Sequence, residues 1–269
     1  MSIESEPSPV VASVPRRLFL HRLNPLAKAA APLPAIALLF VVRDLATPLA
    51  LGLLALATLL AGARLRPRVA VAFVLGAPAL VGLLTVSVGI WTDPASVAGT
   101  PVVWRLGDAA VHTGALLVGL STALRLVAIL VSALLVAAGT DGPELVRALV
   151  SQLRVPYRFG YAALAAFRFV PRFKYELDLI RQAHRVRGTV RGRGPLAAAR
   201  RGLGYVIPLL AGAIRHAERV ALAMDARAFG AYPTRTERHP SLWRGRDTAF
   251  VLLYWLATAA IAVAAALLP

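Results

Sequence analysis

The chain has 269 residues, of which 58% are hydrophobic, and its formal net charge is +17. Several runs of about 20 apolar residues are long enough to cross the ~30 Å hydrocarbon layer, which excludes a soluble globular protein and predicts an all-α polytopic membrane protein. Because the sequence contains no cysteine, disulfides, thiol catalysis and cysteine-ligated metals are also excluded.

The chain is predicted to begin with a tail, followed by membrane spans. Residues 1–20 are expected to be disordered, because their start is acidic and contains Pro and Ser without the charged-then-apolar run of a signal peptide. Residues 21–139 are expected to form a membrane domain with four spans, and residues 247–269 add a fifth. The five spans are predicted at about 29–42, 45–63, 69–90, 110–138 and 248–268.

Two of these spans have unusual residues. Pro32 and Pro34 predict that the first span is tilted or irregular. Arg125 lies deep in the fourth span, and an intramembrane arginine is costly unless it faces protein or water. Two interpretations of Arg125 remain open: it pairs within the bundle or snorkels, or it takes part in transport or gating.

Residues 140–246 form a long basic segment that is predicted to fold into three amphipathic helices. Asp141-Gly-Pro-Glu144 is typical of a capping box and begins the first helix. The other two helices are long and are predicted at about 157–188 and 195–230. Each contains one internal proline that predicts a kink, Pro171 or Pro208.

Lysine and arginine are distributed unevenly along the chain, and this predicts the topology. Residues 140–246 contain 20 of the 30, whereas the loops predicted on the opposite face hold only Arg43 and Arg105. By the positive-inside rule, the N-terminus and residues 140–246 lie in the cytosol and the C-terminus lies outside the cell membrane. The same rule, together with anionic lipid, explains the high charge without a nucleic-acid partner.

A short motif occurs twice in the basic segment, and its two arginines are forty positions apart. The copies are Ala183-His-Arg-Val186-Arg187-Gly188 and Ala223-Met-Asp-Ala226-Arg227-Ala228. Each copy is predicted to end a helix and to present one arginine between small residues, with an alanine one turn earlier on the same face. A planar guanidinium can bind a carboxylate through two hydrogen bonds, so the repeated motif favours docking to a partner protein. The alternative is that each arginine only complements the helix dipole.

No catalytic constellation occurs in the sequence. The five histidines lack metal-ligand spacing, and there is no GxSxG, HExxH or phosphate-binding GxxxxGK[ST] motif. The chain is therefore predicted to be non-enzymatic, with no catalytic residue, no metal site and no cofactor. A membrane-embedded enzyme would need carboxylates or histidines clustered at one membrane depth, and none is found.

Two alternatives to a docking scaffold remain open. A binder of anionic lipid or nucleic acid would use the basic segment diffusely, so that salt would matter more than any single arginine. An ordinary ABC permease subunit would bind its substrate itself and typically carries one coupling helix with a Glu-Ala-Ala-type motif, which this sequence lacks.

Four stretches in order resemble those of one family, the transmembrane (T) component of energy-coupling factor transporters, including its cobalt-type and biotin-type members. The stretches are Arg22-Leu-Asn-Pro-Leu-Ala-Lys28, Thr140 to Pro156, Val170-Pro-Arg-Phe-Lys-Tyr-Glu176 before the first motif, and Ala223 to Phe229. The resemblance covers nearly the whole chain. Val186 stands where the first motif of the family has Ala, and Ala228 stands where the second has Gly.

The resemblance implies a non-catalytic scaffold subunit of an ABC-type importer. In that family two cytosolic ATPases each receive one arginine-bearing helix end in a surface groove. A separate membrane subunit, the S component, binds the substrate, which is usually a vitamin or a transition-metal ion. ATP-driven closure of the ATPases would then move the two long helices and reorient the S component in the lipid bilayer. The implied ATPase-docking residues are Ala183, Val186, Arg187, Gly188, Ala223, Ala226, Arg227 and Ala228.

Overall fold

Helices make up most of the chain. The computed structural model describes residues 19–63, 67–93, 97, 99–106, 109–188, 194–233, 235–237 and 240–267, and of residues 103–111 only the backbone. The elements are a 3-10 turn (Phe19–Arg22), α1 (Pro25–Ala30), α2 (Leu33–Val41), α3 (Ala46–Gly62), α4 (Pro67–Trp91), β1 (Val102–Leu106), β2 (Ala109–His112), α5 (Thr113–Ala137), α6 (Gly142–Gln152), α7 (Tyr157–Val186), α8 (Pro195–Asp225) and α9 (Gly245–Leu267). The tail predicted at 1–20 lies outside the described residues as far as residue 18, and its last two residues belong to the 3-10 turn.

The chain divides into two compact units. Unit 1 comprises residues 1–141 and 242–269 and contains the 3-10 turn, α1 to α5, the two strands and α9. Unit 2 comprises residues 142–241 and contains α6, α7 and α8. The chain therefore passes between the units twice, once after Asp141 and once before Leu242.

Unit 1 holds the apolar helices. Among the described residues, α4, α5 and α9 are long and apolar enough to cross a membrane. Two shorter apolar stretches, Pro25–Val41 and Ala46–Gly62, coincide with the first two predicted spans. The prediction of an all-α polytopic membrane protein is confirmed in class. The first span is irregular, as its prolines predict, because the helix is interrupted at Pro32, between α1 and α2.

The connection before the fourth span is more ordered than the sequence analysis predicts. Where a loop is expected at 91–110, the backbone of β1 and β2 forms an antiparallel hairpin with Trp104 opposite Val111. The hairpin takes the chain as far as His112, so α5 begins at Thr113 and not near 110. The Val-Val-Trp start of β1 suits a strand, but the run is too short to stand out beside the apolar spans.

Small residues bring the helices of unit 1 close together. A Cβ added at Gly119 of α5 would overlap the backbone oxygen of Thr85 in α4, and one added at Gly52 of α3 would lie 3.3 Å from the Cβ of Ala128 in α5. Such close backbone approach is typical of helix packing inside membranes. It makes α5 the central helix of the unit.

Arg125 of α5 contacts the end of another helix. Its guanidinium donates a 2.7 Å hydrogen bond to the carbonyl of Val42, which follows α2. Carbonyls at a helix C-terminus lack intrahelical partners, so the arginine satisfies one of them and complements the helix dipole. This contact fits the first interpretation of Arg125, pairing within the bundle.

Unit 2 consists of two long antiparallel helices with α6 packed on the first of them. The rings of Phe169 in α7 and His216 in α8 are 4.1 Å apart, and those of His184 and Tyr205 are 5.1 Å apart. The later residue of α7 contacts the earlier residue of α8, so the two helices are antiparallel. Each helix runs on through its internal proline, so neither Pro171 nor Pro208 interrupts it, and the predicted kinks stay predictions.

Candidate functional site: two helix ends

The first motif lies at the end of α7. The helix ends at Val186, and Arg187 follows as its C-cap with its N–H bonded to the carbonyl of Ala183 at 3.1 Å. Gly188 then takes the left-handed conformation with φ +67, and its N–H bonds to the carbonyl of Arg185 at 3.0 Å. This is the common way in which a glycine terminates a helix.

The second motif ends α8 by the same kind of backbone turn. The helix is regular to Asp225, and its last hydrogen bonds run on into the motif. The N–H of Phe229 bonds to the carbonyl of Met224 at 3.0 Å, and the N–H of Ala228 bonds to that of Asp225 at 2.9 Å. Ala228 itself is left-handed, with φ +53. This pair of bonds around a left-handed residue is a Schellman motif.

The two arginines therefore occupy equivalent positions, although α7 ends one residue before Arg187 and α8 ends two residues before Arg227. Arg187 directly precedes the left-handed Gly188, and Arg227 directly precedes the left-handed Ala228. Ala228 fills a position that favours glycine, so the departure at this residue changes the strain of the turn and not its form.

All eight predicted docking residues are exposed, including Val186, which is 89% exposed. Within the part of the chain that the structure describes, neither Arg187 nor Arg227 has an ion-pair partner, and the only ion pair joins Arg181 to Asp178. Both guanidinium groups are thus available to a carboxylate of another molecule.

The structure does not bring the two motifs together. Because α7 and α8 are antiparallel, the turn after α8 lies beside the start of α7. There the centroid of the Phe229 ring lies 5.6 Å from that of Tyr157 and 6.1 Å from that of Tyr161. Arg187 lies at the other end of α7, whose 30 residues span about 45 Å at 1.5 Å per residue. The two arginines therefore lie at opposite ends of the helix pair.

The sequence analysis missed a set of contacts that fixes the second helix end. Arg158 donates to the carbonyl of Gly230 at 2.6 Å, and the hydroxyl of Tyr157 donates to the carbonyl of Tyr232, also at 2.6 Å. The guanidinium of Arg235 stacks 4.7 Å from the centre of the Tyr161 ring. A stacked arginine and two long-range bonds hold the turn in one conformation.

A groove of about 780 Å³ lies beside the second motif. Its charged lining consists of Arg147, Arg168, Arg227, Arg235 and Glu237. Four arginines against one glutamate make the groove attractive to acidic groups. The sequence signal for such a packed turn is Phe229, the aromatic residue directly after the motif, which the sequence analysis did not interpret in this way.

His216 lies half-buried on α8, edge-on to Phe169. Burial lowers its pKa below the usual histidine value, and the positive charges of Arg172 and Arg219 lower it further, while Glu176 acts in the opposite direction. The lowered pKa favours the neutral imidazole. Among the described residues, no three His, Asp or Glu side chains are arranged to hold a metal ion.

Comparison with known proteins identifies the family of the chain. The family model of CbiQ, described as cobalt transport protein, matches residues 16–238 and so includes both motifs. The chain belongs to the CbiQ family. The resemblance to T components that the motifs indicate is thereby confirmed.

Individual relatives of this CbiQ-family chain have related names. The energy-coupling factor transporter transmembrane protein EcfT of Bacillus subtilis is 29% identical over 160 residues, and the match spans 56% of this chain but only 60% of that relative. The EcfT of Bacillus selenitireducens is 28% identical over 257 residues, which cover 92% of this chain and 93% of the relative. A putative ABC transporter ATP-binding protein of Bifidobacterium longum is 28% identical over 265 residues, 96% of this chain and 33% of that protein.

Proposed function

We propose that this CbiQ-family chain is the scaffold subunit of an energy-coupling factor importer, and that it transmits the work of two cytosolic ATPases to a separate substrate-binding subunit. The observation that carries the proposal is the pair of exposed arginines, Arg187 and Arg227, each directly before a left-handed residue at a helix end. On this proposal the chain lies in the cell membrane, with its N-terminus and residues 140–246 in the cytosol.

The separation of the motifs supports one ATPase at each end. About 45 Å lies between them, so a single surface groove cannot hold both arginines. The Bifidobacterium longum protein is named an ABC transporter ATP-binding protein, and nearly the whole of this chain matches one third of it. An ATP-binding region and a sequence of this kind in one polypeptide favour ATPases as the partners.

The chemistry of docking follows from the residue types. A guanidinium forms two parallel hydrogen bonds to a carboxylate, and lysine cannot reproduce this fork. The exposed small neighbours Ala183, Gly188, Ala223 and Ala226 let each helix end enter a groove without steric hindrance. The two motifs are therefore proposed to bind acidic grooves, one on each ATPase.

The S component is proposed to bind the apolar face of α8. Leu203, Ile207, Leu210 and Ile214 follow one another at helical spacing, and each is more than half exposed. A stripe of exposed large apolar residues marks a surface that meets protein or membrane. The substrate bound by that subunit is proposed to be a vitamin or a transition-metal ion.

The test is to remove the two arginines singly and together. Arg187→Ala or Arg227→Ala is expected to weaken retention of the ATPases, and the double variant is expected to abolish both retention and uptake, because no anchor remains. Loss of one partner in a desolvated charge pair costs about 2–5 kcal/mol, which is tens- to thousands-fold in affinity. The measurement is the amount of ATPase that co-purifies with the tagged chain, with membrane insertion checked in parallel.

Matched controls come from the same two helices. Arg185 and Arg215 are exposed arginines of α7 and α8 outside the proposed docking positions. Changing either to alanine should therefore alter the free energy of ATPase binding by about 1 kcal/mol or less. If the double variant keeps its ATPases while Arg185→Ala or Arg215→Ala loses them, binding depends on bulk charge. The alternative of a basic surface for anionic lipid or nucleic acid would then be favoured.

A further inference from the structure

Both chain connections between the units lead to one short segment of unit 1. We call residues 22–28, Arg-Leu-Asn-Pro-Leu-Ala-Lys, the N-terminal clasp. Its side chains and backbone bond to residues just before the chain leaves unit 1 and just after it returns. The contacts described below lie within unit 1.

The outgoing connection is held by Lys28. This lysine is fully buried, and its ammonium donates a 2.7 Å hydrogen bond to the carbonyl of Gly139, two residues before the boundary at Asp141. Gly139 is left-handed, with φ +69, and an added Cβ would lie only 2.7 Å from the ring of His21. The backbone at this point thus packs directly on the residue that precedes the clasp.

The returning connection is held by Asn24 and Arg22. The backbone N–H of Asn24 donates a 2.8 Å hydrogen bond to the carboxylate of Asp247, and Asp247 is only 1% exposed. The side-chain amide of Asn24 donates a 3.4 Å hydrogen bond to the carbonyl of Leu242. The guanidinium of Arg246 donates to the carbonyl of Arg22. Leu242 is the first residue of the returning chain.

Burial of a charged lysine and a charged aspartate is costly unless each is hydrogen-bonded. Packing alone would be served better by apolar residues of similar volume. Here Lys28 of the clasp bonds to Gly139, 111 positions away, and Asp247 accepts a bond from Asn24 of the clasp, 223 positions away. The two charged groups therefore fix both connections to the same element.

We propose that the N-terminal clasp makes the two connections move as one body, so that motion of unit 2 reaches the membrane helices and is not absorbed by two loose linkers. The inference rests on the proposed function, because it concerns transmission of ATPase work. Lys28 and Asp247 are positioning residues in this sense. They act on coupling and not on ATPase binding or ATP hydrolysis.

The experiment uses the complete complex, with ATPases and S component, in proteoliposomes that report both ATP hydrolysis and substrate uptake. Lys28→Met keeps the length of the side chain and removes the bond to Gly139, and Asp247→Ala removes the bond from Asn24. Loss of one such buried bond lowers the equilibrium constant between the clasped and open forms about 5- to 100-fold. Uptake per ATP hydrolysed is therefore expected to fall, by up to the same factor, with ATPase retention unchanged.

Two further variants separate coupling from general stability. Asp247→Asn keeps an acceptor oxygen for Asn24 and is expected to recover most of the coupling. Ser132→Ala removes a buried 2.8 Å bond to the carbonyl of Ala128 within α5 and none of the bonds made by the clasp, so it is expected to leave uptake per ATP unchanged.

Each outcome decides. Equal uptake per ATP in Lys28→Met, Asp247→Ala and the unmodified chain overturns the clasp, as does an equal loss in Ser132→Ala. If Lys28→Met fails to insert, the Asp247→Ala and Asp247→Asn pair decides alone, and equal coupling in the two counts against the proposal. Absence of ATPases from the unmodified complex would refute the proposed function itself, which is a different failure.

Discussion

The left-handed residues of the two motifs allow a quantitative test of docking. Gly188 and Ala228 have φ values of +67 and +53, so the motifs use the same backbone conformation with different residues. Glycine adopts this conformation without steric cost, whereas a residue with a Cβ loses roughly 1 kcal/mol or more. Gly188→Ala should therefore destabilise the turn that ends α7, and Ala228→Gly should stabilise the turn that ends α8.

The magnitude follows from the space around each position. A Cβ added at Gly188 would meet no described atom within 4 Å, so the effect of Gly188→Ala is backbone strain without any gain or loss of packing. A strain of about 1 kcal/mol lowers the equilibrium constant between the ordered and disordered helix end about fivefold. Ala228→Gly removes the equivalent strain, so it is expected to raise the equilibrium constant for the ordered end of α8 by up to about fivefold.

Each helix end can be assayed separately. On the proposed function only the first motif can dock in an Arg227→Ala background, so Gly188→Ala is expected to raise the Kd for the ATPase by up to about fivefold. In an Arg187→Ala background, Ala228→Gly is expected to lower the Kd. The matched control is Gly202→Ala, the same chemical change at an open, helical position inside α8, which should leave the Kd unchanged or slightly improved.

Either of two results would refute this reasoning. If Gly188→Ala binds the ATPase as tightly as its parent, the left-handed turn is not needed for docking. If Gly202→Ala weakens binding as much as Gly188→Ala, the effect comes from the helix as a whole and not from its end.

Three other predictions concern topology, substrate and pH. A tag at the C-terminus should be reachable only from outside the cell and one inserted at 189–194 only from the cytosol, and the reverse for either tag would contradict five spans. The purified chain should show no stoichiometric binding of vitamins or metal ions, whereas a 1:1 micromolar complex would favour an ordinary permease. Because folding lowers the pKa of His216, stability is expected to fall as pH drops below the usual histidine value of 6.5, and His216→Gln should remove this component of the pH dependence in thermal unfolding.

Local signals were sufficient for the helices of unit 2. The structure begins α6 after Asp141 and α7 at Tyr157, as the capping pattern and the preceding proline predict, and Gly188 ends α7. Such signals act within one turn of the chain, so they can be read from the sequence. The left-handed Ala228 could not be, because alanine rarely adopts that conformation unless tertiary contacts impose it. Here Phe229 packs against Tyr157, some seventy residues earlier.

The clasp shows the same limit. Asn24 before Pro25 predicts a helix start, and the structure agrees, since the Asn24 side chain accepts a 2.9 Å bond from the N–H of Leu26. The long-range partners of the clasp are Gly139, which Lys28 contacts, and Asp247, which Asn24 contacts, and each lies more than a hundred residues away. No periodicity or spacing connects such positions, so a single sequence predicts the local cap but not the long-range contact.

The geometry of the α7–α8 pair indicates how force applied at its ends would be converted to motion. The helices approach closely at Gly212, where an added Cβ would overlap the carboxylate of Glu176. Thirteen residues separate Gly212 from the end of α8, an arm of about 20 Å, so a turn of about 10° at this contact moves that end by about 3–4 Å. Pro208 lies four residues from the contact and Pro171 five, and each removes one backbone hydrogen bond that would resist bending there. The arms can therefore bend close to the point where the helices touch.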